Sequence, residues 1–273
     1  MSQAVPASVP TRAPKSQLRD AAEFLLKLVV FVFLLRSLVV STFSIPSESM
    51  LPRLLVGDYL FVQKWPYGFS RHSFPWSIAP LEGRVLSRLP DRGDVAVFKA
   101  PPGDDVDYIK RVIGLPGDTV QMRGGRLFLN GAPVEQRPVA DLVVPVTPNS
   151  PCLAPEFTEG AADGGTQCRY PRFRETLPGG RSYDVLDLAD TIADDTPVFT
   201  IPAGRLFLMG DNRDKSADSR FAAVEGGGIG FVPVDNLVGR AWVTVFSTDG
   251  SARWLQPWTW VSATRWNRVG EGF

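Results

Sequence analysis

The sequence DYIKRVIGLPGDTVQMRGGRLFLNG at residues 107–131 is the clearest indication of fold class in this chain. Short runs of β-branched and large apolar residues alternate in it with Gly, Pro and Asp, a pattern typical of strands joined by tight turns. Similar runs occur at DYLFVQKW, GDVAVFKA, RLFLMGD and LVGRAWVTVFS, and the 273 residues include 25 Gly and 24 Pro. The sequence therefore predicts a mainly β protein built as an antiparallel body.

The inventory of charges and side chains excludes several classes of function. The 29 Lys and Arg residues balance 29 Asp and Glu residues, so the chain lacks the excess positive charge of a general nucleic-acid binder, and we expect no nucleic-acid partner. His72 is the only histidine, and Cys152 and Cys168 are the only cysteines. This argues against a histidine base and against a zinc site. We therefore expect an enzyme of this composition to use a different base, with no metal and no other cofactor.

The most apolar segment lies near the N-terminus. A helix over FLLKLVVFVFLLRSLVVSTF at residues 24–43 would be about 30 Å long, the thickness of the bilayer core, which predicts a single transmembrane helix over residues 21–43. Lys27 and Arg36 fall inside this segment, and their long side chains can reach the headgroups. A cleavable signal peptide remains an alternative on hydropathy. A buried helix is a third interpretation, which the two charges oppose.

The regions on either side of this segment differ in composition. Residues 1–20 are rich in Pro, Ala and Ser, which predicts a disordered tail, and their basic residues place it in the cytoplasm by the positive-inside tendency. Residues 44–273 then form the β body on the extracytoplasmic side. Within that body, residues 141–197 are rich in Pro, Gly, Asp and Thr, and we predict that they form an inserted smaller subdomain.

Three segments combine small polar or basic residues with apolar, turn-bounded surroundings. They are IPSESMLPRLLVGD at residues 45–58, DYIKRVIGLPGD at 107–118 and GDNRDKSADSRFAAVEGGGIGFVP at 210–233. In content and order, together with the later LVGRAWVTVFS, these segments resemble the motifs of the bacterial type I signal peptidases, also called leader peptidases. The resemblance implies a membrane-anchored serine protease with a Ser/Lys dyad and a mainly β catalytic body.

The resemblance also implies a nucleophile and a base. Ser49, the second serine of the first segment, matches the nucleophile, and Lys110, the lysine of YIKR, matches the general base. A neutral lysine can take a serine proton when burial lowers its pKa to roughly 7–8, and the sequence neighbours of Lys110 are mostly apolar. Taken alone, Ser49 could be a helix N-cap or turn residue, and Lys110 could be an exposed strand lysine in a salt bridge.

Supporting roles follow from the same motifs. Ser47 matches the hydroxyl that helps the Ser49 N–H to form an oxyanion hole, and Ser216 matches the residue that orients the lysine. Four charged residues match positions near the site, where we expect ion pairs that hold loops and give structural support: Arg111, Asp211, Asp218 and Arg220.

The family binds its substrate as an extended strand, so the resemblance implies that a signal peptide pairs with strand edges near residues 43–54 and 107–110. Eight apolar residues match substrate-binding positions that shape shallow pockets for small side chains: Phe43, Ile45, Pro46, Met50, Leu54, Val97, Tyr108 and Ile109. Each of them could equally belong to the core, the usual place for an apolar residue.

The implied location is the bacterial inner membrane, with a single pass and with signal peptides of exported precursors and the lipid bilayer as partners. Because thiols oxidise outside the cytoplasm, we predict a disulfide between Cys152 and Cys168 rather than two free thiols. The four tryptophans of WLQPWTWVSATRW at residues 254–266 would either contact the headgroups or pack on the sheet.

Together these expectations describe a membrane-anchored endopeptidase that cleaves signal peptides from exported precursor proteins with a serine nucleophile and a lysine general base. One alternative is a Ser/Lys peptidase dedicated to one pathway, such as conjugation or pilus assembly. Another is a non-catalytic anchored β domain that binds exported peptides and retains them without cleavage.

Overall fold

The computed structural model describes residues 17–253 and 255–273. The first element of the described residues is helix α1, Gln17–Leu34, none of whose residues is buried. One π-helical turn, Leu35–Val39, follows, and strand β1 begins directly after it at Val40–Ser44. No helix in the described residues is both long enough and apolar enough to cross a membrane.

Two predictions about this end of the chain are corrected. The helix predicted over residues 21–43 ends at Val39, because the Ser41 hydroxyl binds a backbone carbonyl of the preceding turn and the β-branched residues here favour a strand. The tail predicted over residues 1–20 is helical from Gln17 onward, and the residues before Gln17 lie outside the described part of the chain.

The described residues form seventeen strands and a second, short helix, α2 (Trp258–Ala263). In chain order the strands are β1 (Val40–Ser44), β2 (Asp58–Gln63), β3 (Phe69–Ser70), β4 (Arg84–Val85), β5 (Val95–Lys99), β6 (Asp107–Gly114), β7 (Thr119–Arg123), β8 (Arg126–Leu129), β9 (Ala132–Pro133), β10 (Glu135–Pro145), β11 (Thr158–Gly160), β12 (Thr166–Thr176), β13 (Ser182–Leu186), β14 (Phe199–Thr200), β15 (Arg205–Met209), β16 (Val232–Pro233) and β17 (Leu237–Ser247).

Seven strands form the main antiparallel sheet in the order β1-β2-β17-β5-β6-β15-β16. Two further sheets have four strands each: β14-β7-β8-β9, and β10-β12-β11 with β13 also paired to β12. The fourth sheet is the short β3-β4 ribbon. The prediction of a mainly β antiparallel body is confirmed, and the stretches quoted from the sequence correspond to β2, β5, β6 to β8, β15 and β17.

The main sheet supports the loop between β1 and β2. Apolar side chains of β2, β5 and β17 pack in one cluster with Ile45, Met50 and Leu54 from that loop. Met50 and Leu54 are completely buried, and burial of each such side chain stabilises the fold by about 1.5–3 kcal/mol. The loop is therefore anchored to the sheet through its own apolar residues.

The sheet of β10 to β13 overlaps the region predicted as an inserted subdomain, residues 141–197, but its strands run from Glu135 to Leu186. Strand β12 carries three arginines and is cross-linked to β13 by pairs such as Arg174 with Asp184 at 2.7 Å. The disulfide predicted between Cys152 and Cys168 is present.

Candidate active site

Two side chains from distant parts of the chain meet in the β body. The Nζ of Lys110 donates a hydrogen bond to the Oγ of Ser49 over 2.6 Å, although 61 residues separate them. Lys110 lies on β6 and Ser49 lies in the loop after β1. Both are buried, with 4% and 7% of their surfaces exposed. The structure thus brings together the two residues that the sequence matches to a base and a nucleophile.

The loop that carries Ser49 is held at three points. At its base, the N–H of Ile45 donates to the carbonyl of Asp58 over 2.8 Å. On the opposite side, the N–H of Asn212 donates to the carbonyl of Ser49 over 3.1 Å. Between them, Met50 is completely buried. Ser49 is therefore fixed relative both to the main sheet and to the segment that begins at residue 210.

The surroundings of Lys110 favour its neutral form. Burial lowers the pKa of Lys110 to about 8, below its ordinary value of 10.5, because the ammonium loses its hydration. The carboxylates of Asp218 and Asp211 oppose part of this effect, and Arg220 adds to the lowering. The Tyr108 ring lies on the same face of β6, with its centroid 5.6 Å from the Nζ. A lysine in this setting can accept a proton near neutral pH.

The four charged residues predicted to give structural support form two buried ion pairs. Arg111 on β6 contacts Asp211 at 2.5 Å, and Arg220 contacts Asp218 at 2.9 Å. Asp218 also accepts a hydrogen bond from the N–H of Gly210 over 3.0 Å. The Arg111–Asp211 pair joins residues 210–220 to β6, close to Lys110, and the contacts of Asp218 hold that segment together.

Two hydrogen-bond donors lie beside the Ser49 hydroxyl. The Oγ of Ser47 is 3.4 Å from the Oγ of Ser49, and Ser47 itself is exposed. The N–H of Ser49 has no acceptor among the described residues. A peptide carbonyl placed over Ser49 would find both donors available.

Ser216 lies close to this group but makes no hydrogen bond. It is buried, and its Oγ has no partner among the described residues. The expected bond from Ser216 to Lys110 is thus not formed in the structure. The hydroxyl is nevertheless next to Gly210, which in turn packs against the carbonyl of Ser49.

A groove of about 360 Å³ runs past Ser49 and Lys110. Six of the eight residues predicted to bind substrate line it: Phe43, Ile45, Pro46, Val97, Tyr108 and Ile109. The prediction is wrong for Met50 and Leu54, which are completely buried in the core cluster beneath the loop. A core position and a pocket position require the same apolar residue types, so the sequence could not separate them.

Both long walls of this groove are unpaired strand edges. Strand β1 pairs only with β2 among the described strands. Strand β15 pairs with β6 over residues 111–114 only, so the edge of residues 107–110 has no partner strand in the described part of the chain. An extended peptide can therefore hydrogen-bond to backbone on either side of the groove.

A second lysine, Lys64, is also buried, and no motif in the sequence marks it. Burial lowers its pKa to about 8 as well, but its Nζ faces the ring of Phe43 at 5.9 Å. His72 is buried and contacts the hydroxyl of Ser77 through Nδ1 at 3.0 Å. Among the described residues, Lys110 is thus the basic group that contacts the Ser49 hydroxyl. Buried lysines cannot be recognised from local sequence, because their burial arises from tertiary packing.

The groups that could hold a metal ion lie elsewhere. Among the described residues, one set of carboxylates has suitable spacing, namely Asp187, Asp194 and Asp214. None of these residues lines the groove beside Ser49. No motif marks this cluster in the sequence, because its members come together only in the folded chain.

Comparison with known proteins finds relatives over most of the chain. A family model described as "Signal peptidase, peptidase S26" matches residues 18–246. Signal peptidase I of Rickettsia typhi is 35% identical over 247 residues, which cover 87% of this chain and 83% of that protein. Signal peptidase I of Rickettsia akari is 34% identical over 263 residues, 88% of each protein. The crystal structure of a signal peptidase I from Enterococcus faecalis V583 is 23% identical, with a TM-score of 0.29, over 56% of this chain and 97% of that one.

Proposed function

The chain belongs to the signal peptidase family, peptidase S26, whose activity is the endoproteolytic removal of signal peptides, and on this basis we propose that Ser49 is its nucleophile and Lys110 its general base. The observation that carries this assignment is the 2.6 Å hydrogen bond from the Lys110 Nζ to the Ser49 Oγ. The lowered pKa of Lys110 supports it, because the base must be neutral before it can accept the serine proton.

In the first half of the reaction, neutral Lys110 takes the proton of the Ser49 hydroxyl while the Oγ attacks the carbonyl carbon at the cleavage site. The negative charge that develops on the carbonyl oxygen is stabilised by the Ser49 N–H and the Ser47 hydroxyl. The Lys110 ammonium then gives its proton to the nitrogen of the breaking peptide bond. The mature protein leaves with a new N-terminal amine, and the signal peptide remains as an ester on Ser49.

In the second half, a water molecule attacks this ester. Lys110, neutral again, takes a proton from the water and returns it to the Ser49 Oγ as the ester bond breaks. The signal peptide leaves with a new carboxyl end, which releases its proton to the solvent, and the enzyme regains its starting protonation state. Ser216 is a positioning residue in this scheme, because its buried hydroxyl has no other partner among the described residues and lies against Gly210, next to the loop of Ser49.

The signal peptide binds as an extended strand between β1 and residues 107–110 of β6. The unpaired edges of both strands support this arrangement, since each leaves backbone groups free for a peptide partner. The apolar residues along the groove leave only shallow space beside the scissile carbonyl, which favours small side chains there.

We propose that α1 together with the π-helical turn after it, Gln17–Val39, anchors the enzyme in the bacterial inner membrane, with the N-terminus in the cytoplasm and the catalytic body on the extracytoplasmic face. Helix α1 alone is not long and apolar enough to cross, so the proposal depends on the apolar residues of the π-helical turn as well. Supporting this, α1 has no buried residue and exposes a row of large apolar side chains: Phe24, Leu25, Leu26, Val29 and Phe31. Trp258 and Trp266 are also mostly exposed, at 70% and 63%, which favours contact with headgroups over packing on the sheet. Trp254 lies outside the described residues.

The test is to incubate the detergent-solubilised full-length protein with secretory precursors and to sequence the N-termini of the products. We expect cleavage of several unrelated precursors after small residues, and no cleavage by the Ser49→Ala variant. Cleavage of a single precursor would favour a peptidase dedicated to one pathway. Retention of precursors without any cleavage would favour a peptide-binding domain and overturn the proposal.

A further inference from the structure

Asp187, Asp194 and Asp214 bring three carboxylates together outside the groove. One oxygen of each lies within 4.8 Å of the others. Asp187 and Asp194 belong to the segment between β13 and β14, whereas Asp214 belongs to the segment that carries Ser216. The cluster therefore lies where the smaller sheet meets the catalytic segment.

Two of these carboxylates each have a buried oxygen without a partner. Asp194 is only 6% exposed; its Oδ2 accepts the N–H of Thr191 over 2.5 Å, but its Oδ1 has no hydrogen-bond partner. Asp214 repeats the pattern, since its Oδ2 accepts the N–H of Leu188 over 2.5 Å and its buried Oδ1 is unpaired. An unpaired buried oxygen on a charged group is costly, so these two oxygens indicate a missing partner.

The unpaired oxygen of Asp194 lies near the Asp187 carboxylate. An ideal Cβ on Gly125 would lie 2.9 Å from the Oδ2 of Asp187 and 4.0 Å from the Oδ1 of Asp194, so both oxygens border the same small space. Burial raises the pKa of Asp187, and the charge of Arg213 opposes this rise without contacting Asp187, because the Arg213 guanidinium is buried and forms an ion pair with Glu175 at 2.6 Å. The cluster thus has no cation of its own in contact among the described residues.

We propose that Asp187, Asp194 and Asp214 bind a calcium ion. Oxygen-only ligands favour a hard cation over zinc, which takes nitrogen and sulfur ligands in most sites. Calcium binds oxygens at about 2.3–2.6 Å, so opposite ligands are about 4.6–5.2 Å apart, and the cluster fits inside that shell. Magnesium keeps several waters and is usually held by one or two carboxylates, so three converging carboxylates favour calcium. Water and backbone carbonyls would complete the coordination.

The calcium ion would tie the loop after β13 to the catalytic segment. Asp214 is two residues from Ser216, and its Oδ2 is already fixed by the N–H of Leu188. Bound calcium would link the same two segments further, through the unpaired oxygens of Asp194 and Asp214. The site contains neither Ser49 nor Lys110, so its occupancy can be measured independently of the proposed dyad.

The experiment uses the full-length protein in detergent, first treated with a chelator and then dialysed. Calcium chloride is titrated by calorimetry, and the unfolding temperature is measured with and without saturating calcium. We expect one calcium ion per chain and a higher unfolding temperature in its presence. Asp187→Asn and Asp194→Asn should each weaken binding by more than about tenfold, since loss of a ligand costs at least as much as loss of an outer partner.

Asp190→Asn is the matched control, because it removes the same charge from an exposed position of the same loop and should leave binding unchanged. Asp187→Asn keeps the test valid if Asp194→Asn fails to fold, because the Asp187 carboxylate makes no hydrogen bond among the described residues. The proposal is overturned if the wild-type protein shows neither heat of binding nor a temperature shift, or if Asp187→Asn binds calcium normally. An equal affinity for magnesium overturns the assignment to calcium.

Discussion

Gly210 and Ser216 approach each other so closely that no side chain fits between them. A Cβ on Gly210 would lie 2.3 Å from the Oγ of Ser216 and 2.5 Å from the backbone oxygen of Ser49. Rotating the Ser216 side chain cannot make room, because its Cβ and the backbone oxygen of Ser49 each lie 2.5 Å from the same point. Glycine at this position therefore allows the segment of Ser216 to pack directly on the loop of the proposed nucleophile.

The first prediction concerns this contact. Gly210→Ala should push the Ser216 segment away from Ser49 and lower kcat by about a hundredfold or more, since a displacement of about 1 Å at a reacting group can have that effect. Gly160→Ala is the control, because a Cβ there meets no atom within 4 Å. Rates are measured on a precursor peptide, with circular dichroism to confirm folding. Normal activity of a folded Gly210→Ala variant would show that this packing is not required.

The second prediction concerns the dyad. Ser49→Ala and Lys110→Ala should each lower kcat at least about a thousandfold, because a nucleophile and its base act as one unit. For the same reason, the double variant should be no slower than either single variant. The measurement is single-turnover cleavage of a precursor peptide by folded protein. Substantial turnover by either single variant would contradict the assignment.

The third prediction concerns pH. The active form requires neutral Lys110, and burial lowers the pKa of this residue to about 8. Below that value the neutral fraction falls about tenfold per pH unit, so kcat/KM should rise with pH and level off above about 8. A profile that peaks near pH 5 would contradict a lysine base.

Lys64 provides the control for this profile, because burial lowers its pKa to about 8 as well. Lys64→Met removes that titration and should leave the midpoint of the profile unchanged, whatever its effect on the maximum rate. A midpoint that moved or disappeared in this variant would assign the titration to Lys64 instead.

The sequence predicted the β body well because its strands are marked by local features. Each run such as LVGRAWVTVFS has β-branched residues between turn residues, and this pattern depends on neighbours in the chain rather than on distant contacts. Strands β10 and β12 show that pattern less clearly, since β12 carries three arginines and β10 two prolines. They were therefore assigned only to a subdomain of unspecified fold.

The site shows the same division between local and distant information. Motif resemblance identified Ser49 and Lys110, but their 2.6 Å contact depends on the folding of the main sheet, which brings the loop after β1 to β6 across 61 positions of the chain. Met50 and Leu54 were misplaced because apolar residues serve both core and pocket. Asp187, Asp194 and Asp214 belong to no motif and meet only after the smaller sheet packs against the catalytic segment.

The fourth prediction concerns the Cys152–Cys168 disulfide, which closes a loop across 16 positions of the chain. Replacing both cysteines by alanine should lower the free energy of unfolding by about 3 kcal/mol, because the unfolded chain regains the freedom that the cross-link removes. Urea unfolding of the wild-type and double-variant proteins measures the difference. Mass spectrometry of unreduced protein should find the two cysteine peptides linked, and quantitative alkylation of both cysteines without reductant would contradict the bond.

The fifth prediction concerns the residues before the cleavage site. An extended peptide points alternate side chains in the same direction, so the first and third residues before the cut should both face the groove. There the walls formed by Ile45, Val97 and Tyr108 leave little space, and a large side chain would shift the carbonyl away from the Ser49 Oγ. Alanine, glycine or serine should be accepted at both positions, whereas the residue between them faces away and should tolerate bulk. The measurement is kcat/KM for a precursor series varied at one position at a time. Efficient cleavage with leucine or phenylalanine directly before the cut would refute the assignment of these walls, even if both dyad variants were inactive.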